Sequence, residues 1–90
     1  MDVVDNQSRT RFELSLGDDM AVADYHLGHG TIAFTHTEVP SHLRGRGIAA
    51  TLVRGALDAS RERGLRVIPS CSYVADFIER NPEYQDLLAR

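Results

Sequence analysis

Residues 36–50 read HTEVPSHLRGRGIAA. Strand-like residues precede the Arg-Gly-Arg-Gly run and a clean amphipathic helix follows it, so the segment sets a strand, a turn and a helix in that order. Gly45 and Gly47 let backbone N–H groups approach a ligand closely, because no Cβ stands in the way. A helix that begins near Gly47 adds unpaired N–H donors and a partial positive charge. Arg44 and Arg46 can close over phosphate oxygens with their planar forks of donors. These features suit a pyrophosphate better than a single carboxylate. The other reading of the same residues is a solvated basic turn ahead of a helix.

On the N-terminal side the chain reads as β-structure. Apolar residues alternate through residues 11–16 (RFELSL), and Gly17-Asp18-Asp19 then supplies a turn. Residues 20–27 (MAVADYHL) alternate again, with Ala21, Ala23, Tyr25 and Leu27 on one face. Gly28-His29-Gly30 makes the next turn, and residues 31–39 (TIAFTHTEV) form a third long strand. A short further strand is expected around Val3-Val4. Connections this short imply an antiparallel meander. The run Gly28-His29-Gly30-Thr31-Ile32-Ala33 fits the dinucleotide pattern G-x-G-x-x-A, but a strand rather than a helix follows it, so it reads as a hairpin turn.

On the C-terminal side the period changes. Ile48, Leu52, Val53, Ala56 and Leu57 share one helical face, and Arg54, Asp58, Arg61 and Glu62 the other. Gly64 is placed to end this helix at its C′ position. Arg66-Val67-Ile68-Pro69 is a short strand whose proline suits an end or an edge. Ser72 is the expected N-cap of a second helix carrying Val74, Phe77 and Ile78. Asn81-Pro82-Glu83 repeats a start signal for a last turn or two bearing Tyr84, Leu87 and Leu88. The order is β-β-β-α-β-α, and the class is α+β with one mostly antiparallel sheet.

The 90 residues correspond to one domain spanning the whole chain, large enough for a single core. A hydrophobic content of 42% and a charged content of 26% are ordinary for a soluble protein. No apolar run approaches the roughly 20 residues that cross a bilayer, and the N-terminus lacks a signal-peptide core. A lone cysteine, Cys71, cannot close an internal disulfide, so a cytoplasmic location is expected. The net charge of -3 and pI of about 5.7 argue against a nucleic-acid binder. All 10 basic residues are arginines, which excludes a Schiff-base or P-loop lysine. The 4 histidines show neither helical i,i+4 pairing nor cysteine partners, so no metal is expected.

Two further places can carry chemistry. If the third strand alternates without a bulge, His36 and Glu38 continue the face begun by Ile32 and Phe34. A core face that turns polar at its end runs into a cleft, where either residue could serve as a general base. The alternative is exposure beyond the core, or a satisfied polar pair. Cys71, just after the short strand, reads on its own as a small buried hydrophobe.

The strand, Val39-Pro40, the R-x-x-G-x-A of Arg44, Gly47 and Ala49, and the helix after them together resemble the acyl-CoA signature of the GNAT superfamily of N-acetyltransferases. Pro69-Ser70-Cys71-Ser72-Tyr73-Val74 and Asn81-Pro82-Glu83-Tyr84 are similar to the compact single-domain branch of that superfamily. The resemblance runs over residues 11–88. It implies a minimal GNAT-like fold that uses acetyl-CoA as co-substrate and moves its acetyl group to an amine, on a small molecule or a protein. It implies further that backbone N–H groups of Arg44, Gly45, Arg46, Gly47, Ile48 and Ala49 hold the CoA pyrophosphate, and that Glu38 and Val39 pair with the pantetheine amides. Cys71 would lie near the thioester, as a covalent acetyl carrier, with His36 or Glu38 as the base of a direct route. Larger superfamily members build the acceptor pocket from extra N-terminal helices and later strands. Here the acceptor site is expected to be open, formed by a partner subunit, or absent. Monomer or weak homodimer is the expected state, without nucleic-acid or membrane partners. Two rival functions are a non-catalytic acyl-CoA-binding module and an interaction domain that recognises another phosphate.

Overall fold

The structure, a computed structural model, describes residues 2–89. Five strands form one sheet in sequence order: β1 (Val3–Asn6), β2 (Arg11–Leu16), β3 (Asp19–Leu27), β4 (Thr31–Glu38) and β5 (Arg66–Pro69). The first four are antiparallel, joined by short turns, and β5 pairs parallel to β4 after a helical crossover. Helix α1 (Ile48–Glu62) makes that crossover, and α2 (Ser72–Arg80) follows β5. The element order gains a full strand at the N-terminus, where Val3 pairs with Leu14 and Asn6 with Arg11.

The alternation of β2 and β3 does what period 2 requires. Phe12, Leu14, Ala21, Ala23 and Tyr25 are buried on one face, together with Ile32, Phe34 and Val67. The face of α1 bearing Leu52, Val53, Ala56 and Leu57 packs on them, and α2 adds Val74, Phe77 and Ile78. Leu27, expected on the same face, lies at the strand end and is exposed. Gly30 adopts φ 70° in the turn before β4, where the Gly28 N–H bonds to the Thr31 C=O at 2.9 Å, so the hairpin reading of this run holds. Gly64 adopts φ 71°, and the Gly64 and Leu65 N–H groups bond back to the carbonyls of Arg61 and Ser60 at 3.0 Å. That pair of bonds is a Schellman stop.

Two boundaries differ from the sequence reading. The N-cap of α2 is Cys71, and Ser72 is already helical. The C-terminal segment is a 3-10 helix (Pro82–Leu87), after which Leu88 leaves the helix and bridges to Val67 on the outer side of β5. Its Asn-Pro-Glu-Tyr start is held by side chains of α1. Arg54 donates to Asn81 Oδ1 at 3.2 Å, Glu83 Oε2 at 3.3 Å and the Tyr84 hydroxyl at 3.3 Å. The Tyr84 hydroxyl in turn donates to Asp58 Oδ1 at 2.7 Å.

Gly55 lets α1 sit down on β1. A Cβ built there would stand 2.6 Å from Val3 Cγ2 and 2.7 Å from Val3 Cβ. In a helix interior, Gly→Ala ordinarily gains about 1 kcal/mol, whereas overpacking a well-filled site costs about 1–3 kcal/mol. Gly55→Ala is therefore expected to lower the melting temperature, by about 5 °C. Adding Val3→Ala should restore it. A melting temperature that rises in the single variant would show that β1 yields freely.

Candidate active site

The cleft arises where β4 and β5 part. They pair in parallel from Thr31–Arg66 to Phe34–Pro69. Pro69 has no N–H to extend the ladder, and the last bond runs from the Cys71 N–H to the Phe34 C=O at 2.8 Å. Beyond it the chain turns into α2 while β4 continues alone.

At the same level β4 bulges. Asp24 pairs with His36 and Tyr25 with Phe34, which leaves Thr35 as an extra residue. One extra residue reverses the faces of everything after it. Thr35 and His36 are both exposed, Thr37 is half-buried, Glu38 is exposed and Val39 is buried. His36 and Glu38 therefore do not continue the Ile32–Phe34 face. The residues that do are Thr37 and Val39. His36 Nε2 lies 3.0 Å from Glu38 Oε1 on the open face, with the two side chains 58% and 65% exposed.

A cleft of about 410 Å³ opens on the other side. Thr37 and Val39 form one wall, Tyr73 of α2 another, and Gly45, Gly47, Ile48, Ala49 and Ala50 the end at the start of α1. Gly45 and Gly47 hold φ 83° and 74°, the left-handed region that favours glycine. The N–H groups of residues 45–50 have no acceptor among the described residues. They are the orphan donors of a helix start, extended by the turn before it. Arg44 lines the cleft, and its Nε donates to the Val39 C=O at 3.2 Å, tying the turn to the strand end. Arg46 is exposed. His42 Nε2, in a 3-10 turn (Ser41–Leu43), lies 2.9 Å from Asp19 Oδ2 and anchors the other end of the loop.

Cys71 is half-buried at the head of α2, and its Sγ lies 3.4 Å from Thr37 Oγ1. Burial pushes the thiol pKa up, but the Thr37 hydroxyl and the backbone of Val74 and Tyr73 outweigh it, so the pKa falls below its ordinary value. The N–H groups of α2 close no full capping bond to the sulfur; they act on it as dipoles of a helix start.

Of the residues singled out in the sequence, Val39, Arg44, Gly45, Gly47, Ile48 and Ala49 line this opening, while Arg46 and Cys71 do not. Cys71 touches it only through the wall residue Thr37, and His36 and Glu38 lie across β4 from it. Thr37, Leu43, Ala50 and Tyr73 were missed as wall residues. Tyr73 had a usable signal, since it stands off the Val74–Phe77–Ile78 face of a helix whose start follows the cleft.

The strand end, the glycine-rich turn and the helix start that meet here are the segment whose sequence resembles the acyl-CoA signature of the GNAT acyltransferases. Residues 11–87 match the family model described as GCN5-related N-acetyl-transferase, and the chain belongs to that family. It is similar to protein NATD1 of Bos taurus, 39% identical over 80 residues that span 86% of this chain and 71% of the relative. Protein NATD1 of Xenopus tropicalis is 36% identical over 80 residues, 86% of this chain and 73% of the relative. The NMR solution structure of a GCN5-like protein from Staphylococcus aureus superposes with a TM-score of 0.75 at 25% identity, over 98% of this chain and 87% of that one.

The thiol pKa has a direct consequence. Because it lies below the ordinary value, a larger share of Cys71 is thiolate at pH 7 than in a model peptide, and only the thiolate is alkylated. Native protein should react with iodoacetamide faster than N-acetylcysteine amide at pH 7, and the advantage should vanish well above the model thiol's pKa. Slower reaction at pH 7 would mean that burial wins.

Proposed function

We propose that this chain binds acetyl-CoA in the Thr37–Tyr73 cleft and transfers the acetyl group to an amine. The observation that carries the reading is the row of acceptor-free N–H groups over residues 45–50 at one end of the cleft, with the Cys71 thiol 3.4 Å from the hydroxyl of the wall residue Thr37. These N–H groups and the positive end of α1 hold the pyrophosphate, as helix starts hold anions generally. The backbone of Glu38 and Val39, left without a β5 neighbour, pairs with the pantetheine amides. Arg44 and Arg46 add exposed positive charge at the rim.

In the covalent route the Cys71 thiolate attacks the thioester carbonyl. A sulfur–carbon bond to Cys71 forms, the bond to the CoA sulfur breaks, and CoA leaves as a thiolate. The neutral amine then attacks the Cys71 thioester, giving the amide and returning the Cys71 thiolate; the amine's proton passes to solvent. In the direct route His36 or Glu38 takes the amine proton, and their 3.0 Å contact is the observation in its favour. A lone cysteine without a disulfide partner fits a reducing compartment, and we place the activity in the cytoplasm.

Titration with acetyl-CoA, followed by amide NMR, tests the site. The largest shifts are expected over residues 44–51, with a second group at Glu38 and Val39; largest shifts over residues 28–31 would refute the assignment. Gly47→Val should weaken binding more than Arg46→Ala. A Cβ at Gly47 meets no atom within 4 Å in the free protein, so its harm comes from φ 74° and from blocking the ligand's approach. An exposed charge contributes about 1 kcal/mol or less. Equal affinities in the two variants would contradict a backbone cradle.

The covalent route has its own check. Incubation with acetyl-CoA should leave one acetyl group on Cys71, visible by intact mass and released by neutral hydroxylamine. Cys71→Ala should still bind CoA yet lose most of the transfer rate. Unchanged transfer in that variant would leave the direct route through His36 or Glu38.

A further inference from the structure

We infer that Thr37 is a positioning residue for Cys71, its hydroxyl holding the sulfur beside the cleft and donating a hydrogen bond to the thiolate. The inference rests on the reading of Cys71 as the acetyl carrier. The bulge at Thr35 is what brings Thr37 there, since an unbulged strand would have sent it to the open face. Its Oγ1 lies 3.4 Å from Sγ, and both residues are half-buried. Thr37 lines the cleft and Cys71 does not, so this contact is what joins the sulfur to the space proposed for the thioester.

A hydroxyl suits this position for a reason of charge. While the sulfur is protonated, S–H or O–H can serve as donor. Once the sulfur is ionised only the hydroxyl can donate, so the contact strengthens when the nucleophile forms. Thr37 gives up no proton in the transfer. The branched side chain also restricts its own rotation, which fixes where the hydroxyl points. Other ionisable groups near the thiol do not substitute for it. The Tyr73 phenol shares the cleft wall, and burial and the Asp76 carboxylate both push its pKa up, so it stays neutral near pH 7. Arg44 of the turn is engaged with the Val39 carbonyl. His36 and Glu38 are held on the far side of β4.

The test is the pH profile of Cys71 alkylation by iodoacetamide in wild type, Thr37→Val and Thr37→Ser, with amide spectra verifying that each is folded. Valine keeps the shape and removes the donor; serine keeps the donor and removes the methyl. Thr37→Val should move the midpoint to higher pH and slow alkylation at pH 7 by about tenfold, the size of a lost hydrogen bond to a charged group. Thr37→Ser should stay close to wild type. An unmoved midpoint in Thr37→Val, or the same slow profile in both variants, would overturn the inference. The readout needs no turnover, so it separates from the covalent route. If Cys71→Ala leaves acetyl transfer intact while Thr37→Val still shifts the midpoint, the route fails and the positioning of the thiol stands.

Discussion

Parallel strands β4 and β5 share a ladder only as far as Phe34 and Pro69, and the rest of the site depends on that parting. Proline ends the donor row of β5, and the Cys71 N–H makes the last bond to the Phe34 carbonyl. From there the edge of β4 is left with backbone groups that need partners. Had the ladder continued, Thr37 and Val39 would face a neighbouring strand, and the 410 Å³ opening would be filled. The C-terminal segment supports the short strand from outside, through the Leu88–Val67 bridge and the bond from the Ala89 N–H to the Val67 carbonyl at 2.8 Å.

Both helices begin at this opening. The first residues of α1 line it, and Cys71 is the N-cap of α2. Two positive helix ends therefore meet one space, and Arg44 adds a formal charge while, among the described residues, no acidic side chain lines the cleft. The chain as a whole carries -3. Local dipoles, close by and partly shielded from water, decide the potential here, and the net charge of the surface does not. Anionic ligands and a thiolate are favoured by the same arrangement.

Much of this was legible in the sequence because it is local. The glycine turn ahead of a helix start near Gly47, the core face of α1 and the helix stop at Gly64 each follow from residues a few positions apart. The bulge was not legible. Phe34-Thr35-His36-Thr37-Glu38 reads as unbroken alternation, and the extra residue exists only in the pairing with Asp24 and Tyr25 on β3. That single insertion exchanged the places of His36 and Thr37. The Thr37–Cys71 contact spans 34 residues and has no local signature either. The α2 cap slipped by one residue because serine is the stronger intrinsic cap, yet the bond from the Cys71 N–H to Phe34 holds Cys71 in the extended conformation that a cap needs.

The two chemistries open to the chain are thus sorted onto opposite sides of β4. His36 and Glu38 sit in water, where a dielectric near 80 weakens any charge they could offer a transition state. Thr37 and Cys71 are both half-buried, where the same partial charges act more strongly and a fixed donor needs no reorganisation. On the proposed reading, with the acetyl group bound in the cleft, an amine on the open face would have to reach past the strand, whereas the Cys71 thiol would not. The bulge therefore does more than widen the sheet: it places a hydroxyl beside the sulfur and moves the imidazole and carboxylate to the other side of the strand.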